Sequence, residues 1–316
     1  QIFFSNEKKI SFLLLLMFSF FFNNMRAQSI TNTKSNTINT GIHYCMGSSY
    51  TITFDTLGFI SGPTFTVQLS DINGGFAAPT VLGSSNSNTI AISIPTLPLS
   101  NNYSLRVIQS ATIGDTLKLI TLTKPTPTFN ITNNNSCPGT PIAFVSTSTG
   151  VGPLVYAWNL NAVATPSSST LQNPSGVIYP PTIGNTSTNY PIKLVVTDAY
   201  GCKDSVITNV IVKHKPEANL ILDPFTTGNF SFVSPNTFTR CNATSPYTLT
   251  VANNSSTTNS NYFINWGDTS TNYNNAASFT SLPHNYTFNG FRSLTHTVTN
   301  SNGCTNTQNF IIYIGS

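Results

Sequence analysis

The side chains that catalyse reactions are few in this sequence and spread along it. Asp55-Thr56 and Asp268-Thr269 begin like the paired Asp-Thr-Gly motif, in which two carboxylates share one proton to activate water. Leu57 and Ser270 stand where that motif needs glycine, so the pair does not predict a hydrolase. The nucleophile-elbow, zinc-helix and phosphate-loop motifs do not occur in the sequence. We therefore predict that the chain is not an enzyme and takes no cofactor.

Metal ligands are equally sparse. His43 and Cys45 would share one face of a strand, but two ligands do not make a metal site. Asp268 follows Gly267 and supplies a carboxylate, whereas calcium takes six or more oxygens and the chain has only 9 acidic residues. The sequence therefore predicts no metal site.

Four of the five cysteines belong to a pattern of cysteine, tryptophan, Val-Thr and Gly-Cys that occurs twice. Its members are Cys137, Trp158, Val196-Thr197 and Gly201-Cys202, then Cys241, Trp266, Val298-Thr299 and Gly303-Cys304. The repeat indicates an internal duplication. In an exported chain it favours the intradomain disulfides Cys137–Cys202 and Cys241–Cys304 over free buried thiols. Cys45 is left over, and a buried thiol is favoured over an intermolecular bridge or a partner outside this sequence.

The sequence predicts that the elements carrying these residues are β-strands. Only 7% of the residues are charged, against about 25% in ordinary soluble proteins, but 39% are hydrophobic, which is enough to build cores. Apolar residues alternate with polar ones over several short runs, and no helical periodicity follows residue 28. The runs are 65–69, 90–94, 103–107, 192–196, 247–251 and 310–314. This pattern predicts an all-β chain of sandwiches or barrels.

The first 27 residues predict a secretory signal peptide. Lys8 and Lys9 precede an apolar run over 10–22, and Ala27 offers a small residue for cleavage. The run is too short to span a bilayer, so no transmembrane span is expected after its removal. The sequence has no initiator Met, and we expect it to be a fragment of a longer protein.

Two basic, proline-containing segments predict linkers between domains. Lys124-Pro125-Thr126-Pro127 and Lys213-His214-Lys215-Pro216 each follow an apolar run. They divide the rest of the chain into domains at 28–124, 125–214 and 215–316, each near the size of one β-sandwich. The basic residues are otherwise scattered singly, so nucleic-acid binding is not expected.

Residues 215–316 resemble a PKD domain, an immunoglobulin-like sandwich common in bacterial surface proteins. The resemblance lies in Ile264-Asn265-Trp266-Gly267-Asp268-Thr269, Leu282-Pro283-His284-Asn285-Tyr286 and the Val298-to-Cys304 ending. Residues 125–214 look like a degenerate relative that keeps Trp158-Asn159-Leu160 and Gly201-Cys202. The resemblance implies tandem immunoglobulin-like sandwiches.

The domain at 28–124 resembles a different immunoglobulin-like domain of large proteins exported by gliding Gram-negative bacteria. The residues concerned are Cys45-Met46-Gly47, Gly58-Phe59, 68–74, Phe76 and 103–107. That resemblance implies a secreted or cell-surface protein that travels by type IX secretion.

Together these features favour a non-catalytic exported spacer or adhesion module whose partners are extracellular polysaccharide or cell-surface proteins. The alternative is an accessory region, carbohydrate-binding or spacer, of a secreted hydrolase. Tyr273 and Tyr286 lie among Asn and Thr and are candidate glycan contacts, because sugars stack on exposed rings. Trp158 and Trp266 are expected in the sandwich cores.

Overall fold

β-Strands and turns form the described part of the chain in this computed structural model. It describes residues 27–36, 43–59, 62–225, 230–233, 235–241 and 244–315. Within these ranges there is no helix. The predicted signal segment 1–27 lies outside the described residues except for Ala27. The all-β fold class predicted from the sequence is confirmed.

The strands form where apolar and polar residues alternate. β4 (Phe65–Leu69) buries Phe65, Val67 and Leu69 and turns Thr66 and Gln68 outward. Alternation places one set of side chains in the core and the other at the surface. The same rule holds in the long strands near the end of the chain, so hydrophobic spacing sets which face of each sheet is buried.

The first sheet group covers residues 29–122 and holds three sheets, of order β1-β3-β6, β5-β4-β7-β8 and β2-β9. Its other strands are β1 (Ser29–Ser35), β2 (His43–Cys45), β3 (Ser49–Leu57), β5 (Thr80–Ser85), β6 (Thr89–Ser93), β7 (Ser104–Gln109), β8 (Thr112–Lys118) and β9 (Ile120–Leu122). β2 and β9 pair in parallel, with Cys45 opposite Leu122.

The second sheet group covers residues 129–213, in sheets of order β10-β11 and β13-β12-β14-β15. Its strands are β10 (Phe129–Thr132), β11 (Ala143–Ser146), β12 (Val155–Asn159), β13 (Ser168–Ser169), β14 (Ser187–Thr197) and β15 (Lys203–Lys213). A parallel bridge joins Ser136 to Val212.

The third sheet group covers residues 220–314, in sheets of order β16-β19-β22 and β17-β18-β24-β23-β20-β21. Its strands are β16 (Leu220–Leu222), β17 (Ser231–Val233), β18 (Thr237–Arg240), β19 (Tyr247–Asn253), β20 (Asn259–Asn265), β21 (Tyr273–Asn275), β22 (Leu282–Tyr286), β23 (Gly290–Asn300) and β24 (Thr305–Ile314). β18 pairs in parallel with β24.

The first and third groups each enclose one hydrophobic core between two sheets. In the first, Ile52 and Ile90 from one sheet pack with Val67 and Leu105 from the other. In the third, the core likewise takes side chains from both sheets, among them Leu249, Ile264, Leu294 and Phe310. Two sheets that share one core make a β-sandwich, and the groups follow one another as tandem sandwiches.

By compactness the described chain divides into two units. Unit 1 takes the described residues of Gln1–Thr126, Ser148–Val155 and Val196–Asp204, and unit 2 takes those of Pro127–Thr147, Tyr156–Val195 and Ser205–Ser316. No strand of the described chain pairs with a strand of another sheet group. The division into domains at 28–124, 125–214 and 215–316 stays a prediction.

Candidate functional site

The first disulfide joins Cys45 to Cys202, both in unit 1. Their Cα atoms are 5.6 Å apart, although 157 positions separate them in the sequence. Cys45 ends β2 of the first sheet group, whereas Cys202 lies in the turn between β14 and β15 of the second. The bond therefore links consecutive sheet groups.

Asp198 shapes the turn that carries Cys202. Its Oδ1 accepts hydrogen bonds from the backbone N–H groups of Tyr200 and Cys202, each at 2.9 Å. Gly201 has a φ of 84°, a left-handed conformation that glycine adopts without a steric penalty. The Tyr200 ring stacks on His43 with centroids 4.9 Å apart. The sequence Asp-x-x-Gly-Cys thus builds a rigid turn that presents its cysteine to Cys45.

The second disulfide, Cys137–Cys304, repeats this design within unit 2. The Cα atoms are 5.5 Å apart across 167 positions. Asn300 takes the place of Asp198, since its Oδ1 accepts the N–H of Cys304 at 3.0 Å. Gly303 has a φ of 87°, matching Gly201. Two hairpins with the pattern Asx-x-x-Gly-Cys therefore each bond a cysteine of the preceding sheet group.

Polar contacts reinforce the second junction. The Nδ2 of Asn300 donates to the carbonyl oxygens of Gly184 at 3.1 Å and His214 at 3.0 Å. Asn306 donates to the Pro216 carbonyl oxygen at 2.9 Å. Asn300 is buried, so losing its amide would leave these carbonyls without that donor. The junction is a fixed interface within unit 2.

The structure overturns the predicted cysteine pairing. Cys137–Cys202 and Cys241–Cys304 are both wrong, and so is the buried free thiol predicted at Cys45. Each hairpin cysteine bonds the cysteine one sheet group earlier, which leaves Cys241 free and exposed. The physical reason is placement: Cys45 and Cys137 each lie where the hairpin turn of the next sheet group reaches them.

The PKD-like motif residues of the third group form one packed cluster. The rings of Trp266 and His284 stack with centroids 4.3 Å apart and an interplanar angle of 4°. His284 Nε2 lies 2.7 Å from Asp268 Oδ2, and the Tyr286 hydroxyl donates to the Trp266 carbonyl oxygen at 3.0 Å. Gly267 has a φ of 79°, and a Cβ there would collide with the backbone of Ser293. These residues lock the turn after β20 to β22 and β23.

The cluster does not have the arrangement of a hydrolytic triad. In a triad the histidine lies between the serine and the acid, whereas here Asp268 binds both Ser270 and His284. Burial raises the pKa of Asp268, but hydrogen bonds from Ser270 and His284 outweigh it and hold that pKa below its usual value. A carboxylate with a lowered pKa suits a structural hydrogen-bond acceptor rather than a general acid.

A surface groove of about 400 Å³ adjoins this cluster. It is lined by Gly267, Asp268, Thr269, Tyr286, Thr287, Phe288 and Arg292. Phe288 is 72% exposed, so its ring is free to stack against a ligand. The groove combines that apolar ring with a carboxylate and a guanidinium, a set suited to sugar rings and their hydroxyl groups.

The structure corrects the predicted glycan contacts. Tyr286 is 1% exposed because β22 turns it inward, so its ring is not free to stack against a sugar. Tyr273 is half-buried with its ring 5.3 Å from that of Phe279, and a glycan role for it stays a prediction. Trp158 and Trp266 are each 3% exposed and lie in cores. Phe288 was missed because a phenylalanine in an Asn-rich turn gives no signal of its exposure.

Neither a metal-binding cluster nor a candidate membrane-spanning helix occurs in the described ranges. There, no three His, Cys, Asp or Glu side chains lie close enough together to hold a metal ion. Nor does that part of the chain contain a helix of the length and apolar character needed to cross a bilayer.

Similarity to known proteins is found only among solved structures, and the sequence identity there is low. No protein-family model matches the chain, and no curated protein matches it. Among solved structures, one from a study of a 1.5-MDa bacterial ice-binding adhesin is 11% identical, with 92% of this chain and 99% of that chain covered and a TM-score of 0.29. The amphioxus IgVJ-C2 molecule is 13% identical, with 54% of this chain and 99% of that chain covered and a TM-score of 0.24. Fibronectin(III)-like modules of Clostridium thermocellum CbhA are 13% identical, with 56% of this chain and 93% of that chain covered and a TM-score of 0.25. The assignment of tandem sandwiches follows from the sheets and cores of the chain itself.

Proposed function

We propose that this chain is an exported, non-catalytic surface protein that acts as an extracellular spacer and presents an adhesive surface. One observation carries the proposal: both disulfides join consecutive sheet groups rather than lying within one. Disulfides persist in oxidising compartments outside the cytoplasm, so two such bonds support a secreted or cell-surface location.

The two bonds also interleave along the chain. Cys137 lies inside the loop closed by Cys45–Cys202, and Cys202 lies inside the loop closed by Cys137–Cys304. A pull on the two ends therefore cannot extend most of the chain between Cys45 and Cys304 without breaking a covalent bond. A spacer that must keep its length under tension benefits from this topology.

The adhesive role rests on the groove beside Phe288. Its exposed ring, the Asp268 carboxylate and the Arg292 guanidinium fit an extracellular polysaccharide or a polar surface of a cell-surface protein. With 7% charged residues, the chain would bind such partners mainly through stacking and hydrogen bonds, so binding would depend weakly on salt.

The family and the export route are part of the proposal. The packing of Trp266, Asp268 and His284 around Gly267 supports a PKD-like sandwich, because it gives each of these motif residues a structural role. The resemblance of residues 28–124 supports a signal-peptide-dependent route followed by type IX secretion.

Binding to a glycan array tests the adhesive role. Wild type, Phe288→Ala and Phe291→Ala are compared, because both rings are more than two-thirds exposed but only Phe288 lines the groove. We expect saturable binding that falls at least tenfold in Phe288→Ala and is kept in Phe291→Ala. Equal binding by all three proteins would refute the groove. The spacer role is tested by extension of the chain under force, with the two disulfides intact and then reduced.

A further inference from the structure

Three cysteines occupy the same place in the three sheet groups. Cys45 ends β2, which pairs in parallel with β9, the last strand of its group. Cys137 follows Ser136, whose parallel bridge to Val212 joins it to the last strand of the second group. Cys241 follows β18, which pairs in parallel with the last strand, β24. Each cysteine thus lies beside the point where the last strand of its group ends.

The register is the same in the second and third groups. The N–H of Lys213 donates to the Ser136 carbonyl oxygen at 2.9 Å, and the N–H of Gly315 donates to the Arg240 carbonyl oxygen at 2.8 Å. In both cases the acceptor is the residue directly before the cysteine. Cys137 and Cys241 are therefore equivalent positions, yet Cys137 is bonded and Cys241 is free and exposed.

The partners of the two bonded cysteines share one design. Cys202 and Cys304 each end an Asx-x-x-Gly-Cys hairpin turn, and each bonds the group before its own. Both hairpin cysteines are thereby used. The corresponding hairpin of the first group, between β7 and β8, turns at Ser110 and carries no cysteine. Of the three equivalent cysteines, Cys241 is the one that bonds no hairpin cysteine of the described chain.

We propose that Cys241 and the surrounding end of the third sheet group form a docking site for the Asx-x-x-Gly-Cys hairpin of a further sandwich of the same kind. The exposure of the thiol leaves it accessible to such a turn. The two established junctions define the occupant: an Asx side chain to brace the turn, a glycine with positive φ, and a cysteine at its end. This inference goes beyond the spacer and adhesion roles, and of the proposed function it rests only on export to an oxidising compartment.

Formation of the bond needs an oxidant, and a disulfide-form thiol oxidoreductase of the export compartment supplies it. The Cys241 thiolate attacks that disulfide, which forms a mixed disulfide and releases one thiolate. The hairpin thiolate then attacks the Cys241 sulfur and releases the second thiolate. Two thiols lose two protons and two electrons in all, and the oxidoreductase is reduced to its dithiol.

The protein as its own cell exports it provides the test. It is blocked with N-ethylmaleimide, digested without reduction and mapped by mass spectrometry. We expect Cys241 to be linked to a cysteine that follows an Asx-x-x-Gly sequence and is neither Cys202 nor Cys304. An alkylated Cys241, or a Cys241–Cys241 dimer, overturns the proposal.

A tandem chain tests the same chemistry in vitro. A second copy of residues 213–316 is joined after Ile314 of the first, so that the 213–216 linker connects the two copies. The added copy carries Cys241→Ser to remove its own equivalent cysteine and Ser301→Ala as a mass marker. After refolding with oxidised and reduced glutathione, we expect no free thiol and a bond between Cys241 and the marked hairpin. The proposal is overturned if Cys241 and the hairpin cysteine of the added copy are both alkylated while that copy resists protease, which shows that it has folded. The matched control with Cys241→Ser in both copies should keep one free thiol.

Discussion

The interleaved disulfides predict how far the chain extends under force. When tension acts between Cys45 and Cys304, the shortest covalent path crosses to Cys202, runs back to Cys137 and crosses to Cys304. That path contains about 65 residues, or about 230 Å at roughly 3.5 Å per extended residue. With both bonds reduced the path contains about 259 residues, or about 900 Å. Reduction should therefore release about 680 Å of extra length.

Single-molecule force spectroscopy on residues 28–316, tethered at both ends, measures these lengths. Single substitutions give intermediate values, since Cys45→Ser leaves a path of about 92 residues and Cys137→Ser one of about 102. Pairing within each repeat would instead give about 131 residues, or about 460 Å, in the oxidised wild type. That length, or no change in length on reduction, would refute the interleaved arrangement of the two disulfides.

Three further perturbations test the packing. Burial lowers the pKa of His296 to about 4, so as the pH falls below about 6.5 this imidazole is protonated in the unfolded chain but not in the folded one. In urea titrations between pH 7 and pH 5, wild type should lose about 2 kcal/mol more unfolding free energy than His296→Leu. Parallel pH profiles of the two proteins would contradict this. Gly267→Ala should lower the free energy of unfolding by about 2 kcal/mol or more, because the new Cβ meets a backbone carbonyl. Gly139→Ala is the control: its φ is 80° but the space around it is open, so it should lose only about 1 kcal/mol through backbone strain. Equal losses of stability in thermal melts would show that the collision at Gly267 is not real. Asn300→Ala should lower the free energy of unfolding by about 2 to 3 kcal/mol. Asn302→Ala, a control whose contacts are longer and more exposed, should lower it by less than about 1 kcal/mol. The reverse order in denaturant unfolding would refute the role of Asn300.

Strand positions could be predicted from the sequence because alternation is a local property. The run over 65–69 is β4, and the run over 310–314 lies within β24. These features need only the chemistry of neighbouring residues along one strand.

Cysteine pairing could not be predicted, because sequence spacing fits two solutions equally well. Pairing within a repeat and pairing with the next repeat both give two bonds of nearly equal span, here 157 and 167 positions for the second solution. The choice depends on which turn lies beside Cys45 and Cys137 in three dimensions. Each solution also leaves one cysteine over, Cys45 in the first and Cys241 in the second, so the number of cysteines does not decide between them.

The glycan contact at Tyr286 was mispredicted for a related reason. Aromatic residues crowd residues 262–288, but which of them are buried depends on register. The Pro-x-His-x-Tyr spacing turns Tyr286 into the core, where its hydroxyl meets the Trp266 carbonyl oxygen, while Phe288 lies past the end of β22 and projects outward. A shift of two residues past a strand end separates a core ring from a surface ring.

Non-reducing peptide mapping of purified residues 28–316, blocked with N-ethylmaleimide, tests the central claim most directly. The account predicts two linked pairs, Cys45–Cys202 and Cys137–Cys304, with Cys241 carrying the alkyl label. Recovery of Cys137 linked to Cys202, or of Cys241 linked to Cys304, would contradict it.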